Sequence, residues 1–130
     1  MPSFGARSTA RLNTCHPDIR RLMQAVVRDR DCTILEGERS AARQAELLRA
    51  GKSKTLKSKH VRTPSDAVDA APYPIPDWSD TDAFVEFGRF VVAKSKDLGI
   101  PIRWGGDWDG DGDRSDQTFD DLVHFERIAA

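Results

Sequence analysis

A strongly amphipathic segment between Pro17 and Arg30 is the feature that most constrains the fold. Its apolar residues recur at intervals of three and four positions, which places them in one stripe along a helix. They are Ile19, Leu22, Met23, Val26 and Val27. Pro17 suits the first helical position, because the N–H group that proline lacks has no partner there. The segment therefore predicts a helix that buries its stripe against the rest of the chain.

The other elements predicted from the sequence are short and do not alternate regularly between strand and helix. Ser40 can cap a helix that continues through Arg49 and ends at Gly51, and Ser79 can cap a longer one that ends at Gly99. The predicted strands are 33–36, 67–71, 102–104 and 123–128, and the predicted loops are 51–66 and 105–120. This order favours an α+β domain whose helices pack on a short, mainly antiparallel sheet.

Length and hydropathy bound the class of protein. The chain has 130 residues, the size of one domain, and no flexible linker divides it. Its 38% apolar and 32% charged residues are typical of a globular protein. No apolar stretch approaches the roughly 18 residues that cross a bilayer. The N-terminus lacks an apolar core for secretion, so we expect neither a transmembrane segment nor an ordinary signal peptide.

The chain contains two cysteines, Cys15 and Cys32. Two are too few for a disulfide framework, and their spacing matches no zinc-binding motif. We therefore expect both to be reduced, semi-buried thiols.

Charge is distributed unevenly along the chain, although the net charge is only −1. Residues 1–62 contain 14 Lys and Arg against 6 Asp and Glu, whereas residues 63–130 contain 6 against 15. A basic half can meet an anionic polymer such as nucleic acid or a bacterial cell wall. The alternative is that the two halves neutralise each other within one fold. Because the basic half lacks interleaved aromatic residues and a reading motif, we expect no nucleic-acid partner.

Three histidines are the candidates for metal or acid–base chemistry. His16 lies at a predicted helix start, where a capping or surface role is expected. His60 and His124, with a carboxylate such as Asp69, are a sufficient ligand set for a catalytic zinc that keeps one position for water. Asp121 precedes His124 by three residues and can exchange protons with that water. The alternative is that His60 and His124 are core or surface residues with ordinary hydrogen bonds.

Four blocks of sequence together resemble one family of zinc peptidases. The blocks are 58–60 (SKH), 67–72 (AVDAAP), 104–108 (WGGDW) and 121–126 (DLVHFE). In this order they are similar to the D-Ala-D-Ala carboxypeptidases and the phage L-alanyl-D-glutamate endolysins. The segment ERS at 38–40, with Gln44, Leu47, Leu48 and Gly51 after it, resembles the arginine-centred turn and helix of that family. The resemblance implies one peptidase domain over residues 1–130, with a core of about 11–128 and a fold like that of hedgehog and DD-peptidase domains.

The resemblance also implies roles for individual residues. The zinc ligands would be His60, Asp69 and His124. Asp121 would be the catalytic base. Arg39 would stabilise the developing oxyanion or hold a carbonyl or carboxylate of the substrate, its structural alternative being an ion pair at the helix start.

The spacing departs from the family pattern at one point. Nine positions separate His60 from Asp69, two more than is usual in the family. The extra length falls in residues 62–65, where a loop can absorb it. Asp66 stands at a rival position, but it precedes the predicted strand and lacks the family's Ala-x-Asp context, so we expect Asp69 to be the ligand.

We expect substrate contacts from four further residues, each with a structural alternative. Ser58 can instead orient the neighbouring histidine loop through a backbone hydrogen bond. Glu126 shares a strand face with His124 and can contact either that ligand or the substrate. Trp104 and Asp107 can line a cleft together with Trp108, although tryptophan in a small domain is more often a core residue.

The acidic segment of residues 107–118 is a second candidate metal site. Its carboxylates recur at alternating positions: Asp107, Asp109, Asp111 and Asp113. With Gly112 sixth, the pattern is typical of a calcium-binding EF-hand loop, but Thr118 stands twelfth in place of the usual glutamate. The alternative is a solvated acidic loop. A bound calcium would order the residues that precede the last strand and would thereby regulate activity.

The function expected from these observations is a zinc-dependent endopeptidase that hydrolyses the L-Ala–D-Glu bond of the peptidoglycan stem peptide. Enzymes of the phage type stay in the host cytoplasm until they are released to the wall, which agrees with the missing signal peptide. We expect a monomer. Two alternatives remain open: a D-Ala-D-Ala carboxypeptidase or dipeptidase, and a non-catalytic, metal-bearing module that binds the wall.

Overall fold

The computed structural model describes residues 2–52, 58–112 and 121–128. Within these ranges the elements are α1 (Ala6–Leu12), α2 (Pro17–Asp29), β1 (Cys32–Glu36), α3 (Ala41–Arg49), a 3-10 turn (Lys59–Val61), β2 (Ala67–Pro72), α4 (Thr81–Leu98), β3 (Ile102–Gly105) and β4 (Asp121–Arg127). None of the helices described here is both long and apolar enough to cross a bilayer. The arrangement confirms the predicted α+β class.

The four strands form one sheet in the order β1-β2-β4-β3, and every neighbouring pair is antiparallel. Successive side chains of a strand point to opposite faces. Val68 and Ala70 of β2 are therefore buried in the hydrophobic core, whereas Asp69 between them faces the other side. Because β2 and β4 are neighbours, Asp69 lies directly opposite His124.

Helices α2 and α4 supply most of the core on the other face of the sheet. All five residues of the predicted α2 stripe are at most 1% exposed, which confirms that prediction. From α4, Phe87 packs edge-to-face on Phe125 of β4, with ring centroids 6.2 Å apart. One face of the sheet is thus sealed, and the other is left for polar residues.

Helix α1 was not predicted, because it buries a single large apolar side chain, Leu12. Its polar residues instead cover the free edge of β1. The hydroxyl of Ser8 accepts a hydrogen bond from the backbone N–H of Ile34 at 3.0 Å, and Arg11 donates to the carbonyl of Ile34 at 3.0 Å. The helix therefore satisfies backbone groups that an edge strand otherwise exposes.

Two of the three predicted helix starts are confirmed. His16 caps α2 by accepting from the N–H of Asp18, and Ser40 caps α3 by accepting from the N–H of Arg43. The predicted cap of α4 at Ser79 is wrong. Asp80 holds that position and accepts from the N–H of Ala83, while the Ser79 hydroxyl donates to Asp77 and so is not available.

Both cysteines are free, as expected, but they are fully buried rather than semi-buried. Burial raises the pKa of the Cys15 thiol to about 11 and that of Cys32 to about 12. At neutral pH the thiolate fraction is therefore very small, and both residues act as small apolar side chains.

A close contact between α4 and β3 leads to a prediction about Gly88. The ring of Trp104 lies against this glycine, and a Cβ atom there would be 2.2 Å from the ring. Alanine normally favours a helix over glycine by about 1 kcal/mol. Here we expect Gly88→Ala to lower the free energy of unfolding by about 1–2 kcal/mol, because Trp104 is displaced.

Urea denaturation measures this effect, with Asp97→Ala as the control because Asp97 is an exposed residue of the same helix. The control should leave stability nearly unchanged. A Gly88→Ala protein as stable as the parent would show that Trp104 does not depend on this contact.

Candidate metal centre

Three side chains from three separate elements meet on the open face of the sheet. Asp69 comes from β2, His124 from β4 and His60 from the 3-10 turn. Asp69 Oδ1 lies 3.0 Å from His60 Nε2 and 3.3 Å from His124 Nδ1, and the two nitrogens are 3.2 Å apart. His60 is 1% exposed and His124 is 6% exposed. The fold thus brings together the three residues that the resemblance named.

Outer hydrogen bonds determine which nitrogen of each ring faces inward. His60 Nδ1 donates to the carbonyl of Gly37 at 2.7 Å, and His124 Nε2 donates to Glu126 Oε1 at 2.9 Å. In the neutral rings, the two inward nitrogens therefore carry lone pairs rather than protons. Together with the Asp69 carboxylate they crowd three electron-rich atoms into one place. Three such atoms repel one another unless a proton or a metal ion lies between them.

The arrangement fits a transition metal of the zinc type. Bonds of about 2.0–2.2 Å at tetrahedral angles separate neighbouring ligand atoms by about 3.3–3.6 Å. The observed separations of 3.0–3.3 Å are slightly shorter and need only a small expansion. Two imidazoles and one carboxylate are also a donor set typical of catalytic zinc.

Electrostatics agree that positive charge is stable at this centre. Although burial opposes it, hydrogen bonds to Asp69 and Glu126 raise the pKa of His124 to about 9. Although burial favours the neutral acid, hydrogen bonds and charge from His124 and His60 hold the pKa of Asp69 well below its usual range. Protons and a metal ion therefore compete for the same lone pairs, and metal binding weakens as the pH falls.

Asp121 begins β4 beside these three residues. Burial, followed by the charge of Asp69, raises the pKa of its carboxyl above the ordinary value, against the opposing charges of His124 and His60. Its backbone also lies close to β3, as shown by Gly105, where an added Cβ atom would be 2.1 Å from the Asp121 carbonyl oxygen. A half-buried carboxyl with a raised pKa is suited to proton transfer.

Arg39 lies on the far side of Asp69, with a side chain only 10% exposed. It pairs with Glu36 and donates from Nη1 to Gln44 Oε1 at 2.7 Å. Its Nη2 lies 3.6 Å from Asp69 Oδ2. The resemblance pointed to Arg39 and Gln44, but our sequence reasoning assigned no role to Glu36, whose place depends on strand register.

Sequence reasoning also missed Gly37, whose carbonyl accepts from His60. Since a backbone oxygen carries no side-chain signature, no motif could have revealed this contact.

The four residues expected to contact substrate occupy different surroundings. Ser58 accepts a hydrogen bond from the backbone N–H of His60 at 3.2 Å and so supports the 3-10 turn. Glu126 accepts a hydrogen bond from the His124 ring. Trp104 is 2% exposed and donates to a backbone carbonyl of β4, so it is a core residue. Together with Asp107 it also lines a groove of about 560 Å³ between α4, β3 and residues 107–112.

Trp108 links this groove to the metal centre. It lines the groove, and its ring centroid is 5.5 Å from that of His124. The groove therefore begins one side chain away from a candidate metal ligand.

The acidic segment forms a second group of carboxylates. Oxygens of Asp107, Asp109 and Asp111 lie close enough to share one ion. Asp107 Oδ2 accepts from the N–H of Gly112, whereas the buried Asp107 Oδ1 has no hydrogen-bond partner in the described residues. Gly112 has a φ of +80°, a value that favours glycine at this turn. Asp113 and Thr118, which belong to the predicted loop, lie outside the described residues.

Asp66, the rival ligand position, takes part in a different network. Its carboxylate accepts from Arg62 at 2.9 Å and from Arg127 at 3.1 Å. Although burial opposes this, the two arginines lower the pKa of Asp66. The network ties the end of the 3-10 turn to the end of β4, and thereby braces the elements that carry the two histidines.

We expect Asp66→Asn to lower the free energy of unfolding by about 1–3 kcal/mol at neutral pH, since two charged hydrogen bonds are weakened. The folded-state pKa lies below the unfolded value of about 3.9. The stabilisation is therefore complete above that value and is lost as the pH falls through the folded-state pKa. Urea denaturation of metal-free parent and variant should show a difference that shrinks in acid. A difference that is constant with pH would contradict this account.

Comparison with known proteins identifies the family of this chain. A family model described as phage L-alanyl-D-glutamate peptidase matches residues 2–128. The L-alanyl-D-glutamate peptidase of Escherichia phage T5 is 34% identical over 121 residues, which are 88% of this chain and 87% of that protein. The crystal structure of the Serratia marcescens L-Ala D-Glu endopeptidase ChiX matches with a TM-score of 0.78 and 32% identity, covering 98% of this chain and 91% of that one. By sequence and fold, the chain belongs to the phage L-alanyl-D-glutamate peptidase family.

Proposed function

We propose that this chain is a zinc-dependent peptidoglycan endopeptidase that hydrolyses the L-Ala–D-Glu bond of the stem peptide. The names of its relatives support the bond, and the sequence and structure matches cover at least 87% of each chain compared. The observation that supports a metal site is the convergence of three ligand atoms, each turned inward by the fold. They are His60 Nε2, Asp69 Oδ1 and His124 Nδ1.

His60, Asp69 and His124 would hold the zinc ion. When bound, zinc polarises a carbonyl and lowers the pKa of a water molecule to about 7. The chain's own contribution is the orientation of the ligands: Gly37 fixes the His60 ring, and Glu126 fixes the His124 ring. Glu126 Oε2 also lies 3.3 Å from Lys59 Nζ. Because its carboxylate is engaged on both oxygens, we assign Glu126 to ligand orientation.

Asp121 is the proton-transfer residue in this proposal. Its carboxylate accepts a proton from the water that attacks the L-Ala carbonyl carbon, and then delivers that proton to the departing D-Glu nitrogen. The C–N bond breaks, leaving an L-Ala carboxylate and a D-Glu amine. The raised pKa of Asp121 supports this role, because it lowers the cost of holding the proton between the two steps.

The groove at Trp108 is our candidate for substrate binding. Trp108 connects it to His124, and Trp104 and Asp107 form part of its lining. Ser58 is engaged with the His60 backbone and is assigned to support of the turn.

Mass spectrometry of products from purified peptidoglycan tests the proposed bond. Zinc-loaded protein should release peptides with a new D-Glu N-terminus and leave L-Ala at the end of glycan-linked stems. Release of only terminal D-Ala would indicate a carboxypeptidase instead. No cleavage by folded, zinc-loaded protein would favour a wall-binding module.

We also propose that the acidic segment binds calcium, on the evidence of the unpartnered buried Asp107 Oδ1 and the grouped carboxylates. Calorimetric titration should show binding that Asp107→Asn abolishes. Asp97→Asn, which alters an exposed aspartate of α4, should leave it unchanged. No heat with calcium at millimolar concentration would overturn the proposal.

Localisation and assembly complete the proposal. We propose that the enzyme stays in the host cytoplasm until it is released to the wall, as expected for an enzyme of the phage type, and that it acts as a monomer. Fractionation of producing cells before and after lysis tests the first point, and sedimentation equilibrium tests the second.

A further inference from the structure

A bulge in β1 places two carboxylates opposite each other. Ile34 pairs with Ala70, so regular pairing would set Leu35 against Asp69. The register shifts between Ile34 and Glu36, and Glu36 faces Asp69 instead. Like charges directly across two strands destabilise a sheet. Bulges redirect side chains, and this bulge places Glu36 opposite Asp69.

Arg39 lies between these two carboxylates. Nε donates to Glu36 Oε1 at 3.0 Å, and Nη2 contacts both Glu36 and Asp69. Gln44, with no exposed surface, accepts from Nη1. The backbone N–H of Arg39 also donates to the carbonyl of His60 at 2.7 Å. The guanidinium is therefore held from several directions by the chain itself.

The two oxygens of Asp69 consequently have separate partners. Oδ1 faces His60 and His124, and Oδ2 faces Arg39. A carboxylate whose second oxygen is engaged by a cation presents one oxygen in a defined direction. Outer contacts of this kind tune a ligand's affinity for metal.

We infer that Arg39 is a positioning residue: Glu36 and Gln44 hold its guanidinium against Asp69 Oδ2, so that Asp69 offers Oδ1 alone to the metal. This differs from the contact with a reacting carbonyl that the family resemblance implies for Arg39. The inference rests on the proposed metal site. It adds Glu36 as a residue required for that site, although Glu36 is separated from every candidate ligand in sequence.

Zinc affinity, measured without substrate by competition with a chromophoric chelator, separates the two roles of Arg39. We expect Arg39→Gln to weaken zinc binding about 10–100-fold, as for other outer contacts of metal ligands. Glu36→Gln should weaken zinc binding by about 10-fold. The Arg39 guanidinium then has Asp69 as its only ionic partner, and it reduces the negative charge that Asp69 offers to the metal. The matched control is Glu38→Gln, since Glu38 is exposed and bonds to Thr63. It should change affinity less than about twofold, because solvent and salt screen the charge of an exposed carboxylate.

Peptidoglycan cleavage by the same zinc-saturated proteins provides the second readout. Arg39→Gln with unchanged zinc affinity and a reduced kcat would overturn the inference and place Arg39 on the reacting carbonyl. If Arg39→Gln does not fold, Glu36→Gln provides the test instead. A zinc affinity of Glu36→Gln equal to that of Glu38→Gln would overturn the inference. A parent protein that binds no zinc would overturn the proposed metal site as well, so failure of the site and failure of the inference are distinguishable.

Discussion

Replacing His124 with alanine is expected to abolish both metal binding and peptidoglycan cleavage. The change removes a ligand and also leaves Asp69 and Glu126 without the group that joins them. Because loss of an outer contact alone costs about 10–100-fold in metal affinity, loss of the ligand itself should exceed 100-fold. Metal content after dialysis and product mass spectrometry measure the two effects.

The control for this variant is His16→Ala. His16 is the remaining histidine of the chain; it caps α2 and is not a member of the candidate ligand group. Its replacement should cost about 1 kcal/mol of stability, as for other helix caps, while metal content and cleavage persist. A His124→Ala protein that keeps its metal would show that the three-residue group is not the binding site.

Replacing Asp121 with asparagine should separate chemistry from metal binding. Asparagine keeps the shape of the side chain but cannot accept a proton, so cleavage should fall about 10²–10⁴-fold, the usual contribution of a general acid–base group. Zinc content should be unchanged, because Asp121 lies outside the three-residue group. Initial rates on purified peptidoglycan and metal analysis of the same sample provide the two measurements.

Asp97→Asn is the matched control, since it makes the same substitution at an exposed position of α4. It should cleave at the parental rate. An Asp121→Asn protein that retains both zinc and full activity would exclude Asp121 as the proton-transfer residue and would require another base.

Local patterns were enough to predict most of the secondary structure. The α2 stripe, the caps at His16 and Ser40, and the strands around Asp69 and His124 depend on residues that are neighbours in sequence. The last strand begins at Asp121, two residues earlier than predicted. Pairing with Gly105 extends it, and that contact is not local.

Candidate chemistry was also readable, because few residue types can bind zinc and the chain has only three histidines. Four ordered motifs then connected His60, Asp69, His124 and Asp121 to one family. What the sequence could not provide was their geometry, since His60 and His124 are 64 positions apart.

The sequence by itself determined which segments bury an apolar face and which side chains can carry metal chemistry, because periodicity and side-chain type are properties of the chain alone. Tertiary structure decided the rest. It placed α1 on the edge of β1, the Gly37 carbonyl on His60, and Glu36 opposite Asp69 through a bulge. Each of these contacts depends on strand register or on a backbone group, and register is set by pairing between distant segments rather than by local pattern.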